Sequence, residues 1–97
     1  LMTYRRVCTG TFQGNRDRDA EVKFFKETIV PAMRARGAVT VEMVQTNDDM
    51  FLATATYPDQ KTADANPDGI QALRKSIIEE FNLDAMHPYG GTSVVGF

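Results

Sequence analysis

Residues 38–57 read AVTVEMVQTNDDMFLATATY and carry the clearest strand pattern of the chain. Two runs within it, Ala38 to Val44 and Met50 to Tyr57, alternate with the two-residue period of β-strands. Between them lies Thr46-Asn47-Asp48-Asp49, which has the asparagine and aspartates that tight hairpin turns favour. The stretch therefore predicts a β-hairpin.

The register of this hairpin decides which face each side chain occupies. If Asn47 and Asp48 are the two loop residues, Met43 pairs with Leu52. The same register pairs Val41 with Thr54, Glu42 with Ala53 and Thr40 with Ala55. One face is then predicted to be apolar, and the other to hold an acid among small residues.

A strand and a helix are predicted before the hairpin. Thr3 to Phe12 is rich in threonine, valine and aromatic residues and stops at Gln13-Gly14-Asn15, as a strand closed by a turn does. From Asp17 to Arg36, apolar residues recur at the three- and four-residue steps of an amphipathic helix. Gly37 supplies its left-handed stop. The predicted stripe is Val22, Phe25, Ile29, Ala32 and Met33.

Pro31 lies inside this predicted helix. Proline removes one backbone donor and clashes with the preceding turn. Because the stripe continues through Ala32 and Met33, we expect a kink near Glu27 to Val30 and not two helices separated by a loop.

A second helix and a last strand are predicted after the hairpin. Gln60 to Ala65 forms a short turn of helix, and the longer helix has Asp68 as its N-cap and ends near Asn82. Its stripe is Ile70, Leu73, Ile77, Ile78 and Phe81. Asn82 to Gly91 is interpreted as a loop, and Thr92 to Phe97 as the terminal strand.

Residues 1–97 are therefore predicted to form one domain with the order strand, helix, strand, strand, helix, strand. Right-handed crossovers place both helices on one face of a four-stranded antiparallel sheet, an α+β, ferredoxin-like arrangement. The helix-free face is predicted to include Phe51, Ala53, Ala55, Val44 and Glu42. Because this set is too apolar for open solvent, we expect a second copy of the chain to cover it in a homodimer.

Composition excludes several classes of protein. The formal charge of −2, from 11 basic and 13 acidic residues, makes nucleic acid a poor partner. No 18-residue apolar run and no secretory signal is present, so we expect a cytoplasmic protein without a membrane partner. Cys8 is the only cysteine and fits a reducing compartment. No metal-ligand cluster is visible, and we expect no cofactor.

Glu42 and His87 are the candidate catalytic residues. A carboxylate in an apolar cavity has a raised pKa and acts as a base, although Glu42 equally suits a solvent-facing position or a dimer salt bridge to Arg5 or Arg6. His87 is the only histidine and suits a base or a ligand, or a solvated loop.

Tyrosine hydroxyls are candidates for orienting a ligand, with packing at an interface as the alternative. They belong to Tyr4, Tyr57 and Tyr89. We expect Tyr57 to line one cavity with Glu42 and His87. Cys8 suits a small buried residue better than a nucleophile.

Three stretches resemble the dimeric α/β-barrel proteins of the antibiotic biosynthesis monooxygenase type. They are Val30-Pro31-Ala32-Met33-Arg34-Ala35-Arg36-Gly37, Val41-Glu42-Met43 and Phe51-Leu52-Ala53-Thr54-Ala55-Thr56-Tyr57-Pro58-Asp59. The family often has tryptophan where Tyr57 stands and histidine where this chain offers Asn66, so the resemblance suggests Asn66 as a ligand contact. The resemblance does not imply haem oxygenase activity, since the chain has no tryptophan.

Two functions remain open at this point. The resemblance implies a small cofactor-independent enzyme, monooxygenase-like or isomerase-like, acting on a small aromatic or carbonyl-bearing metabolite. The alternative is a non-catalytic dimeric module of the same fold that binds a ligand or a partner.

Overall fold

A four-stranded antiparallel sheet carries helices on one of its faces. The computed structural model describes residues 3–96. Its elements are β1 (Tyr4–Thr11), α1 (Arg18–Phe24), a π-helical turn (Phe25–Ile29), α2 (Val30–Ala35), β2 (Thr40–Gln45), β3 (Met50–Tyr57), α3 (Gln60–Asp64), α4 (Pro67–Phe81) and β4 (His87–Thr92). The strand order is β2-β3-β1-β4, with all neighbours antiparallel. The predicted ferredoxin-like α+β fold is confirmed.

The core lies between the sheet and the helices. Phe12 directly follows β1, whereas Phe51 lies on β3 and Phe81 on α4; their ring centroids are 5.6–6.2 Å apart. Phe25 and Ile29 of the first helical segment join the same buried cluster. The first helical segment and α4 therefore cover the same face of the sheet, as predicted.

Pro31 widens the first helical segment instead of ending it. The segment runs from Arg18 to Ala35 without a loop. Since a proline ring clashes with the carbonyl four residues earlier, a regular α-helical turn is unfavourable here. The Val30 N–H instead donates to the Phe25 carbonyl, five residues back, in the π-helical pattern. The predicted continuation of the helix through Pro31 is confirmed.

The π-helical turn changes which side chains face the core. The inward-facing positions are Glu21, Phe25, Ile29 and Met33, each four residues from the next. A four-residue step overshoots a 3.6-residue α-helical turn, and one widened turn compensates for the drift. Val22 is 48% exposed, so its predicted place on the buried stripe is wrong.

The hairpin forms as predicted, but its register is one residue from the predicted one. Glu42 pairs with Thr54 and not with Ala53. The loop is also longer than two residues, because the last pair of the hairpin is Gln45 with Phe51. Within the loop, the Thr46 hydroxyl lies 2.7 Å from Asp48 Oδ1 and 3.1 Å from the Met50 carbonyl oxygen. Since side chains alternate between faces along a strand, this single-residue difference reassigns the faces.

Phe51, Ala53 and Ala55 accordingly lie against the helices, contrary to the prediction. Val44 and Glu42 do lie on the other side of the sheet, which we call the helix-free face. Three rows of paired residues cross it from β2 to β4. They are Val44–Leu52–Thr9–His87, Glu42–Thr54–Val7–Tyr89 and Thr40–Thr56–Arg5–Gly91.

Helix α4 begins at Pro67, and Asn66 is its N-cap, so the predicted cap at Asp68 is wrong. Asn66 Oδ1 accepts a hydrogen bond from the Gly69 N–H at 3.1 Å. Proline suits the first helical position because it has no N–H to satisfy there, and the cap therefore falls on the residue before it. Arg36 donates to the Asn66 carbonyl at 3.0 Å and holds this corner against α2.

The fourth strand is His87–Thr92, and all of it except Thr92 lies in the segment Asn82 to Gly91 that the sequence pattern predicts as a loop. It pairs with β1 at the edge of the sheet, where Pro88 is tolerated. A Cβ at Gly90 would collide with Tyr4 Oη, so glycine permits this close approach. The predicted terminal strand is wrong, because β4 ends at Thr92 where that strand was to begin; Phe97 lies outside the described residues.

Asp84 joins the end of β1 to the segment that enters β4. Its Oδ1 accepts the Thr11 N–H at 2.8 Å and the Ala85 N–H at 2.7 Å. These hydrogen bonds, with a smaller contribution from the charge of His87, lower the pKa of Asp84 below its ordinary value of 3.8.

The Asp84 carboxylate is expected to make stability depend on pH. Because its pKa is lower in the folded chain, its contribution is complete above the unfolded pKa of about 4 and is lost as the pH falls through the folded pKa. Asp84→Asn should therefore lower the free energy of unfolding at pH 7 and leave a smaller loss between pH 4 and pH 2.

Urea unfolding at pH 7, 4 and 2 measures both effects. Glu79→Gln is the matched control, since Glu79 is an exposed carboxyl on α4. An identical loss on acidification in the wild type and in Asp84→Asn would contradict the prediction.

Candidate functional site

A cavity of about 50 Å³ lies between the sheet and the helices. Most of its wall is apolar and includes Phe25, Ile29, Ile70, Leu73, Ile77 and Met86. Arg6, Cys8 and Arg74 add polar groups. Strand β1 supplies Arg6 and Cys8 from its helix-facing side, and α4 supplies Arg74. This is the candidate site.

Arg6 is already paired. Its Nη2 lies 2.7 Å from Asp64 Oδ1 on α3, and its guanidinium also donates to Tyr4 Oη at 3.5 Å. Desolvation alone would lower the pKa of Arg6, but the hydrogen bonds to Tyr4 and Asp64 raise it. The Arg6 cation is thus held in place at the cavity wall.

Arg74 lies on the core-facing stripe of α4, four residues after Ile70 and three before Ile77. Its side chain is partly buried, and its Nε is shielded from solvent without a hydrogen-bond partner among residues 3–96. Within the same residues it forms no salt bridge. The cavity wall therefore carries a cation that has no counter-charge in this part of the chain.

Cys8 is a neutral thiol near pH 7. Burial raises the pKa of the Cys8 thiol above its ordinary value of 9.0, although the positive charges of Arg74 and Arg6 act in the opposite direction. A thiol that stays protonated is a weak nucleophile. Cys8 is only half-buried, and its protonated thiol fits a packing role better than that of a nucleophile.

The expected cavity shared by Glu42, His87 and Tyr57 is not formed within the chain. Tyr57 is 1% exposed and lines the candidate cavity from the helix-facing side of β3, whereas Glu42 is exposed on the helix-free face. His87 lies at the opposite edge of that face, three strand spacings or at least ~14 Å from Glu42. The one-residue error in register is the cause, because it exchanged the two faces of the hairpin.

The other predicted ligand contacts lie outside the cavity. Tyr89 is 62% exposed on the helix-free face, and Asn66 uses its side chain to cap α4. Contact of a ligand with Glu42, His87, Tyr57, Tyr89 or Asn66 stays a prediction.

Sequence reasoning missed Arg74 as a site residue. A signal was present, since Arg74 interrupts an otherwise apolar helical stripe at the spacing that places it inward. Arg6 was considered only as a partner of Glu42. Its strand alternates too irregularly for the sequence to show which face it occupies.

Two classes of site can be assessed directly over residues 3–96. No group of three or more histidine, cysteine, aspartate or glutamate side chains is placed there to hold a metal ion. In that same stretch, none of the helices combines the length and the hydropathy needed to span a membrane.

The sequence matches no protein-family model and no curated protein. Solved structures share its fold. A protein of unknown function from Nitrosomonas europaea superposes with a TM-score of 0.73 at 11% identity, over 99% of this chain and 93% of that one. A dimeric ferredoxin-like protein from an uncultured marine organism gives 0.70 at 12%, over 100% and 92% of the two chains.

A third structure, an ethyl tert-butyl ether D (EthD) family protein from Bacillus halodurans C-125, gives a TM-score of 0.67 at 13% identity, over 95% of this chain and 99% of that one. None of the three is described as an antibiotic biosynthesis monooxygenase, so that resemblance stays a prediction. The chain has the ferredoxin-like α+β fold of these proteins.

Proposed function

We propose that this protein is a homodimeric, non-catalytic domain whose protomers each bind a small molecule in the cavity between the sheet and α4. One observation carries the proposal: no carboxylate and no imidazole lines the cavity along residues 3–96. Its charged groups are arginines, which stay protonated and do not accept protons at neutral pH. The site is equipped to hold a molecule but not to remove a proton from it.

The helix-free face supports the homodimer. Val44, Met50 and Tyr89 are 38%, 42% and 62% exposed on it, and Val7 and Leu52 lie between them on the two central strands. Contiguous apolar surface of this kind usually marks an interface. The marine protein that shares the fold is described as dimeric, which supports the same assembly.

The size of the cavity limits the ligand. About 50 Å³ is far below the ~300 Å³ of a pocket for a drug-sized molecule. Met33 and Met86 line the cavity, and methionine side chains readily change conformation to make room. The proposed ligand is therefore a small aromatic or carbonyl-bearing molecule.

Filling the cavity is expected to weaken ligand binding strongly. Ala53 lines it, and in Ala53→Leu the larger side chain would occupy most of the space. Binding of small aromatic and carbonyl compounds should weaken at least about tenfold, because a ligand would then have to displace packed atoms. Chemical-shift changes of the methyl groups of Ile70, Leu73 and Ile77 measure this.

Ala72→Leu is the matched control, since Ala72 is exposed on α4 outside the cavity. Circular dichroism confirms that both variants are folded. Equal binding by wild type and Ala53→Leu would place the ligand elsewhere and refute the proposed site.

A small enzyme is the second candidate, and one observation favours it. His87 lies close enough to Asp84 for its charge to lower the pKa of that carboxyl, so His87 has an acidic neighbour that the sequence did not identify. Mass spectrometry of the bound compound after incubation in air separates the candidates. An unchanged compound supports the binding domain, whereas consumption that His87→Ala removes would support the enzyme.

A further inference from the structure

We propose that the ligand is a small organic carboxylate, held by the Arg74 guanidinium with its apolar part among the α4 side chains that line the cavity. This inference rests on the proposed ligand-binding function and adds the chemical class of the ligand.

The unpartnered Nε of Arg74 is the starting point. A guanidinium presents Nε–H and an adjacent Nη–H in a planar fork that matches the two oxygens of a carboxylate. The Nε of Arg74 is shielded from solvent and bonds to nothing among residues 3–96. A buried donor without a partner is costly, and a carboxylate would remove that cost.

The charges around the cavity also favour an anion. Asp64 is the carboxylate that reaches a cavity residue, and its Oδ1 is already 2.7 Å from Arg6 Nη2. Cys8 remains a neutral thiol near pH 7 and supplies no negative charge. Arg6 and Asp64 balance each other, which leaves the positive charge of Arg74 uncompensated within the described chain.

The apolar wall selects an organic anion. Ile70, Leu73 and Ile77 lie on the same helical face as Arg74 and line the same cavity. Strongly hydrated inorganic anions gain nothing from such a wall, whereas a hydrocarbon group gains about 25 cal/mol for each Å² of apolar area buried. Asp64 is 52% exposed, so the Arg6–Asp64 pair lies where the cavity approaches solvent.

Matched acids and amides test the charge requirement. The probes are benzoate with benzamide and butyrate with butyramide, titrated calorimetrically into the full chain at pH 7. Each acid is expected to bind about 10- to 100-fold more tightly than its amide, the range for a charge-assisted hydrogen-bonded pair. In Arg74→Met this preference should disappear, and the amides should bind as they do to the wild type.

Two further variants keep the test decisive. Lys75→Met removes one positive charge from an exposed position on the same helix and should retain the preference for the acids. Arg74→Lys keeps the charge but loses the planar fork, and should weaken acid binding by roughly tenfold. It replaces Arg74→Met if that variant does not fold.

Each result has one meaning. Equal binding of acids and amides by the wild type overturns the carboxylate assignment and leaves the ligand-binding proposal standing. A preference for acids that Arg74→Met and Arg74→Lys both retain overturns the role of Arg74. Failure of acids, amides and the wider panel of aromatic and carbonyl compounds to bind the folded chain refutes both proposals.

Discussion

Leu52→Glu is expected to convert the proposed homodimer into a folded monomer of 10.8 kDa. Leu52 lies on β3, an inner strand, and its side chain points to the helix-free face in the row between Val44 and Thr9. In a two-fold interface the substitution acts twice, once from each copy. Burying two unpaired carboxylates there should weaken the dimer by at least about 3 kcal/mol, or more than a hundredfold in dissociation constant.

Light scattering on a sizing column at micromolar concentration measures the mass. Val22→Glu is the matched control, because Val22 is an exposed valine on the helical layer and the substitution adds the same charge. A folded wild type with the mass of a monomer would sink the homodimer proposal. A Leu52→Glu variant that stays dimeric would move the interface to another surface.

Arg16→Met is expected to lower the free energy of unfolding by about 3 kcal/mol, the lower end of the range for breaking a buried ion pair. Arg16 Nε and Nη2 lie 3.0 and 2.6 Å from the two carboxylate oxygens of Glu21. The two side chains are only 9% and 7% exposed. The guanidinium carbon also lies 3.6 Å from the centroid of the Phe12 ring. Without Arg16, Glu21 is left nearly buried and unpaired.

Thermal and urea unfolding measure the effect. For a chain of this length, the loss corresponds to a melting temperature about 12–24 °C lower. The double variant Arg16→Met/Glu21→Met should recover most of the stability, because an apolar pair replaces the unpaired charge. Arg34→Met, at an exposed arginine, serves as the control. A double variant no more stable than Arg16→Met alone would show that the ion pair is not the cause.

The buried ion pair also explains an error of the sequence analysis. Counting apolar residues placed Val22 on the inward stripe, but the π-helical turn before Pro31 gives that place to Glu21. Glu21 is accommodated there only because Arg16, outside the helix, neutralises it. An apolar stripe counted along the helix alone cannot show that Arg16, in the preceding loop, pairs with Glu21.

Local patterns in the sequence determined the order of the elements, the passage of the helix through Pro31 and its end at Gly37. Each of these depends on residues close together along the chain. Gly37 illustrates this: it has φ +93°, and its N–H donates to the Arg34 carbonyl only three residues before it. Backbone geometry and nearby hydrogen bonds suffice for such features.

Contacts between residues far apart in the chain set the register, the last strand and the candidate site. The last pair of the hairpin is Gln45 with Phe51, so five residues and not two lie between the paired strand ends. In this register Glu42 pairs with Thr54 and lies on the opposite face of the sheet from Tyr57. His87–Thr92 became a strand because β1 offered it an edge and Gly90 left room for Tyr4. Arg6 and Arg74 line the same cavity only because α4 packs against the sheet beside β1. None of the three features can be worked out from neighbouring residues alone. For the register the reason is that a shift of one residue along the chain turns every side chain of the strand to the opposite face of the sheet.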